Sequence, residues 1–426
     1  MKARYLTVCA FLCALPASFA GADDWMQFRG PGGLATAETA GVPASWSLDD
    51  NLLWKTELPG PGTSSPITVG DKIYLTAYSG YGIEPSQGNM EDLMRHVVCL
   101  DRASGEIVWT KNFKPRLPES EYSGGNNARH GYASSTIASD GEHLYVFFGK
   151  SGVYCLDLEG NEIWHTLVGD GTRGWGSSNS PVLYKDLVII NASIESQRLL
   201  ALDKKTGEIR WESDERIRGS WNTPLLVDAP GGEQELVVCV PETILGIDPD
   251  TGQTLWTCAG IPDRGYICPS AIAHNGIVYA IGGRKNTAIA VRAGGRGDVT
   301  DTHMLWETAA GSNVSSPIYH DGYIYWMHDS RGAFNCLDAK TGDVIFQERV
   351  EPRPGRVYSS VTFAGGKVIA VSQHDGAFVL AAKPEFELLS HNTFEGDDAR
   401  ANACPVIDGD RLLLRNDKYL YCIGTK

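Results

Sequence analysis

One element recurs along this chain and restricts its fold more than any other feature: Asp-x-x-(Thr/Ser)-Gly, followed four residues later by Trp. It runs from Asp101 through Ser104-Gly105 to Trp109, from Asp203 through Thr206-Gly207 to Trp211, and from Asp248 through Thr251-Gly252 to Trp256. Asp157-Leu-Glu-Gly160 to Trp164 is a copy one residue shorter, and Asp338-Ala-Lys-Thr341-Gly342 carries Phe346 in the Trp place. In such a segment the Asp bonds the following backbone and the Gly supplies a positive φ, so the element reads as a tight turn between two strands. A second element recurs upstream: Ser64-Ser65-Pro66, Ser134-Ser135-Thr136, Asn179-Ser180-Pro181, Asn222-Thr223-Pro224, Cys268-Pro269-Ser270, Ser315-Ser316-Pro317, Ser359-Ser360-Val361 and Ala403-Cys404-Pro405. The copies lie about 45 residues apart, with a longer first unit.

Each unit parses as four strands. The Ser-Ser-Pro segment opens strand a. An Asp-Gly or Gly-Asp turn, as at Gly70-Asp71 or Asp140-Gly141, leads to an alternating strand b such as Lys72-Ile73-Tyr74-Leu75. Strand c ends in the Leu-Asp pair, and the Trp lies on strand d. Eight such units predict an all-β, eight-bladed β-propeller over residues 51–426. The last unit ends at Tyr421-Cys422-Ile423-Gly424 without a strand d, whereas Leu52-Leu53-Trp54-Lys55-Thr56-Glu57 looks like an isolated strand d with its Trp. The N-terminal strand should therefore complete the eighth blade and close the ring, which removes an open sheet edge.

Residues 1–20 read as a secretory signal peptide. Lys2 and Arg4 precede the apolar run Tyr5–Leu15, and Ser18-Phe19-Ala20 offers small residues for cleavage. Cys9 follows Val8 and Cys13 follows Leu12, so neither sits in a lipidation motif. Residues 21–50 form an N-terminal extension. No other stretch is apolar enough to span a bilayer. The expectation is an exported monomer, periplasmic or secreted. A net charge of −15 argues against a general nucleic-acid binder, which needs a basic footprint. Eight of the ten cysteines lie beyond the signal. Cys99, Cys155 and Cys336 each stand in Cys-Leu-Asp, the same position of different repeats, so buried free thiols held apart are expected.

The repeated Leu-Asp-x-x-Thr-Gly-x-x-x-Trp segments resemble the tryptophan-docking repeats of pyrroloquinoline-quinone (PQQ) propellers. That resemblance covers residues 51–426 and implies two branches, the quinoprotein alcohol dehydrogenases and the non-enzymatic, BamB-like exported propellers. The opening Asp24-Trp25-Met26-Gln27-Phe28-Arg29-Gly30-Pro31 looks like the start of the latter. The dehydrogenase branch implies adjacent cysteines beside the quinone and calcium held near a catalytic Asp. No two cysteines here are adjacent, and there is no Cys-x-x-Cys-His for a haem acceptor. The resemblance therefore implies a non-catalytic scaffold for a protein or ligand in the cell envelope, with no cofactor. The alternative is a PQQ- and calcium-dependent dehydrogenase of an alcohol or polyol, working in the central channel.

Site candidates come from the d–a connections, which lie on one face of a propeller around its channel. They contain Arg129 with Tyr132, Arg173 with Trp175, Arg218 with Trp221, Arg264 with Tyr266, Arg356 with Tyr358, and Arg400. Guanidinium groups converging on one mouth of an acidic protein would form a focused anion site for an anionic small molecule or an envelope partner. The competing reading is that Asp170, Asp214, Glu215, Asp263, Glu351, Asp397 and Asp398 pair with these arginines as scaffold. Two long loops, Tyr78 to His96 and Lys114 to Arg129, share that face and suit recognition. His328-Asp329 and His374-Asp375 are expected to stabilise turns. No residue is assigned a catalytic or metal-ligating role.

Overall fold

The computed structural model describes residues 24–83, 88–122 and 130–425. Residues 1–20, read above as a signal peptide, and Arg129 lie outside them. Eight antiparallel sheets follow one another along the chain. In the first seven, strands a to d follow in chain order; blade 1, for instance, is Ile67–Val69, Lys72–Ser79, Met94–Asp101 and Ile107–Phe113. The eighth combines Val406–Asp408, Arg411–Arg415 and Tyr419–Ile423 with Leu52–Glu57, which pairs antiparallel with Tyr419–Ile423 and sets Trp54 opposite Cys422. The ring closes as the isolated Trp54 strand requires.

The repeat signature has a direct mechanical meaning. Asp203 Oδ1 accepts the N–H groups of Lys205 and Thr206 at 2.9 and 3.0 Å, which folds the turn. Gly207 then offers a bare backbone at φ 73°, and the indole of Trp164 from the preceding blade lies on it. A Cβ there would stand 2.6 Å from two indole carbons. The Trp164 indole N–H donates to the Lys204 carbonyl at 2.8 Å. All but one of the strand-d tryptophans dock in this way on the turn of the next blade. Trp54 does so on Gly105, Trp109 on Gly160, Trp211 on Gly252 and Trp306 on Gly342. Opposite the Trp in its own sheet stands a small residue: Cys99, Cys155, Ala201, Gly246, Ala290 or Cys422. The repeated cysteines are therefore size-matched core positions. All eight described thiols are free, and all but Cys268 are buried.

The segment Gly294–His303 hides the fifth blade's Trp from the motif. It separates strand c, Thr287–Arg292, from strand d, Met304–Thr308, and lends Gly297–Asp298 as an extra strand to blade 4. Trp256, facing a blade without the usual turn, donates instead to the buried Glu235 carboxylate at 2.7 Å.

The strand-a elements form a second ring. The backbone N–H of Ser65 donates to Thr136 Oγ1, Thr136 to Ser180, Ser180 to Thr223, Thr223 to Ser270, Ser270 to Ser316, and Ser316 to Ser360, each at 3.0 Å. Ser360 donates to Cys404 Sγ at 3.2 Å, and Cys404 returns to Ser65 Oγ at 3.1 Å. This circle corrects the sequence alignment in two units. Thr136 and Ser270, not Ser135 and Pro269, are the equivalents of Ser65, because the hydrogen-bonding side chain defines the position.

Residues 24–50 run across the lower face, where the a–b and c–d turns lie. The Asp24 carboxylate pairs with Arg102 at 2.7 Å. The carbonyls of Trp25 and Met26 accept from Thr68 and Ser139, on strand a of blades 1 and 2. Phe28 then reaches the channel axis, the buried Arg29 guanidinium bonds the Gly33 and Pro317 carbonyls, and Thr36–Ala37 pairs parallel with Phe363–Ala364 of blade 7. Burial lowers the Arg29 pKa to about 10. The extension therefore caps part of the channel, a role its sequence did not suggest.

Candidate functional site at the upper mouth

The upper end of the channel is a cavity of about 200 Å³. Its floor is Phe28 and the ring residues Thr223, Ser270, Ser316, Ser360 and Cys404. Its wall comes from the d–a connections: His130, Trp175, Trp221, Tyr266, Asn313, Tyr358 and Asn402. Trp175 meets Tyr266 edge-on at 4.5 Å and Trp221 at 5.4 Å between ring centroids. Trp221 is fixed by its indole N–H to the Gly176 carbonyl at 2.8 Å, and Asn313 donates to the Tyr266 hydroxyl at 2.9 Å.

Four of the five aromatics singled out from the sequence thus meet at the mouth. Tyr132 does not. It is buried with Tyr78, Tyr81 and Tyr122 beneath the two long loops, its hydroxyl donating to the Ser120 carbonyl at 2.7 Å. Strands b and c of blade 1 continue further than the sequence suggests, pairing Tyr78 with Arg95 and Ser79 with Met94, so the expected long b–c loop is shortened by a hairpin extension. Buried Arg95 ties the second loop down through Glu119 at 2.7 Å and Ser151 Oγ at 2.8 Å.

The described arginines lie outside the cavity wall. Arg173 sits over the Trp221 face at 5.0 Å, a cation–π contact, and has no carboxylate partner among the described residues. Arg218 donates to Gln197 at 2.8 Å, and exposed Arg356 likewise has no described ion pair. Arg264 pairs with Glu242 at 3.2 Å, a bridge of little worth because it is exposed. Arg400 is held by Asp417 at 2.9 Å in a half-buried pair. Burial pushes the Asp417 carboxyl up, and the Arg400 guanidinium partly offsets this. Of the seven carboxylates considered as scaffold partners, all among the described residues, none pairs with these five arginines; Asp263 instead lies 4.0 Å from Arg284, whose guanidinium covers Tyr266 at 5.2 Å. Sequence reading missed Arg284 because it lies in a b–c turn without an aromatic neighbour in the chain.

His328 and Asp375 work as turn residues. His328 Nδ1 accepts from the Ser330 N–H at 3.2 Å, and Asp375 accepts from Ser372 Oγ at 2.7 Å and the Gly355 N–H at 2.9 Å. Asp329 is the carboxylate of the described cavity wall, and it already accepts from Ser312 Oγ at 3.1 Å and the Asn313 N–H at 3.0 Å. A tricarboxylate quinone with calcium needs several carboxylate ligands and cations for its own charges. One engaged carboxylate, no described lysine or arginine on the wall and Phe28 in the floor do not fit that group.

Four-stranded blades locked Trp-on-turn around a closed ring define a tryptophan-docked β-propeller. The chain belongs to the family described as outer membrane protein assembly factor BamB, whose family model matches residues 94–348. It is similar to the outer membrane protein assembly factor BamB of Burkholderia pseudomallei (strain K96243), 20% identical over 382 residues and covering 86% of each chain. Among solved structures, BamB from Moraxella catarrhalis matches with a TM-score of 0.59 at 13% identity, over 88% of this chain and 97% of that one. Quinohemoprotein alcohol dehydrogenase from Comamonas testosteroni matches at 0.62 and 12% identity, over 95% and 81%. These two likenesses are of fold.

Proposed function

We propose that this protein is an exported, non-catalytic propeller that docks envelope proteins, as a BamB-like assembly scaffold, through its upper mouth. Family membership carries this reading, and the mouth supplies a suitable surface. Rigid aromatic rings offer contact area at small entropic cost, and arginines beside them offer charge-assisted bonds to an acidic partner. Arg173, Arg218 and Arg356 with Trp175, Trp221, Tyr266 and Tyr358 are the contact residues; Arg264 and Arg400 are partly committed to Glu242 and Asp417, and Tyr132 supports the loops. An anionic small molecule at the same arginines is the second reading.

The test is genetic complementation. Deleting the gene should lower the β-barrel protein content of the outer membrane, and the wild-type gene should restore it. The Arg173→Ala/Trp175→Ala double variant should fold with an unchanged melting temperature yet restore much less. Unaltered barrel content on deletion, or full restoration by the variant, would overturn the proposal.

A further inference from the structure

The lower face carries a second opening, separate from the upper mouth. A groove of about 910 Å³ lies between the N-terminal extension, at Gln27, Phe28 and Gly32 to Leu34, and the strand-a segments of blades 3, 4 and 5. Its wall includes the half-buried side chains of Leu183, Leu226 and Ala273.

These three residues occupy one register. Each lies three positions beyond the ring residue of its blade, which is Ser180, Thr223 or Ser270. The residues in the same register elsewhere are Thr68, Ser139 and Phe363, three beyond Ser65, Thr136 and Ser360. Their N–H groups point at the axis and donate to the chain's own extension, to the carbonyls of Trp25 at 3.1 Å, Met26 at 2.8 Å and Ala35 at 2.8 Å. In blades 3 and 5 the two-residue turns Lys185-Asp186 and Asn275-Gly276 make Tyr184·Leu187 and His274·Ile277 the pairs that exchange hydrogen bonds. The N–H groups of Leu183 and Ala273 therefore also face the axis. Among the described residues no backbone carbonyl outside the sheet accepts from Leu183, Leu226 or Ala273.

We propose that the inner edges of blades 3 to 5 form a strand-addition site for an extended segment of a partner protein. The site continues the interface by which this chain already holds Trp25-Met26 and Ala35–Ala37, and it uses the same backbone donors. Apolar side chains at alternate positions of the segment pack on Leu34, Leu183, Leu226 and Ala273. Exposed Arg292 stands at the rim with no described carboxylate in ion-pair range, whereas Asp228 of the same groove accepts from Gln234 at 3.0 Å, so the segment carries an acidic residue where it passes Arg292. This inference goes beyond the upper-mouth reading and does not depend on it.

The probe is a dansyl-labelled octapeptide of alternating valine and glutamate, added to the full mature chain. Its control has proline at every other valine, which removes backbone donors and the extended pairing. Binding is read by fluorescence anisotropy and located by hydrogen exchange over 181–185, 223–229 and 271–276. The valine–glutamate peptide should bind and slow exchange in these segments, and the proline peptide should do neither. Leu226→Pro, which deletes one inward N–H at an edge, should weaken binding about fivefold, the worth of one hydrogen bond. The exposed change Arg292→Glu should weaken it by at least as much with the fold intact. No binding, protection confined to other segments such as the upper mouth, or affinity unmoved by Arg292→Glu would overturn the proposal.

Discussion

Replacing Gly207 with Ala attacks the joint between blades 2 and 3 at one atom. Three costs add. A non-glycine residue at φ 73° costs about 1 kcal/mol. The new Cβ falls 2.6 Å from Cδ2 and Cε3 of Trp164, and relieving such an overlap in packed surroundings costs about 1–3 kcal/mol. Moving the indole stretches its 2.8 Å bond to the Lys204 carbonyl, worth about 1 kcal/mol. The expected loss is about 3–5 kcal/mol, a large part of the stability of an ordinary domain. Gly322→Ala is the matched control. Its φ is 84° and nothing lies within 4 Å of the added Cβ, so it carries only the backbone cost of about 1 kcal/mol. Urea unfolding followed by tryptophan emission and far-ultraviolet circular dichroism separates the two. If Gly207→Ala is no more destabilising than Gly322→Ala, the Trp-on-turn joint is not what binds neighbouring blades.

Two further outcomes are expected. Deleting residues 1–58 exposes the edge of Tyr419–Ile423, so the truncated chain should aggregate or melt far below a chain that keeps residues 24–58; equal stability would refute closure by the N-terminal strand. Glu195 is buried with Oε2 unpartnered, and burial pushes its carboxyl up from 4.5 to about 7. Between those values the folded chain holds a proton that the unfolded chain has released, so stability falls as pH rises and levels off above 7. Glu195→Gln should remove that slope and gain up to about 3 kcal/mol at pH 8; urea curves of variant and parent that run parallel from pH 5 to 8 would contradict this.

The fold was legible because propeller blades repeat their constraints. Asp203, Gly207 and Trp211 recur at fixed spacing because each turn must receive an indole from its neighbour, and Trp54 betrayed the closing strand by standing alone. What stayed hidden was not repeated. Trp306 lost its motif to an insertion, and the Ser65–Cys404 circle was misaligned at Thr136 and Ser270 because its position is set by a hydrogen bond to the neighbouring blade, which the local sequence does not mark. At the candidate site, Trp175, Trp221, Tyr266 and Tyr358 were readable from their place in equivalent connections. Tyr132 has the same local sequence cue, but strand b brings Tyr78 over it and the second long loop brings Tyr122, a tertiary fact with no local signature. The capping path of Trp25 to Ala37 was equally invisible, since an irregular segment takes its course from the surface beneath it.

The joining of Leu52–Glu57 to Tyr419–Ile423 also sets an order in time. The two strands stand nearly the whole chain apart, so the entropy of bringing them together is among the largest in the molecule. A chain delivered from its N-terminus makes Trp54 first and its partner Cys422 last. Through that interval the early strand has no sheet to join. Seven blades can build outward one upon the next, but the molecule becomes a ring only in its final step. Until then it is an open stack with a sticky strand at one end, the stage at which a chaperone that shields strands has most to act on.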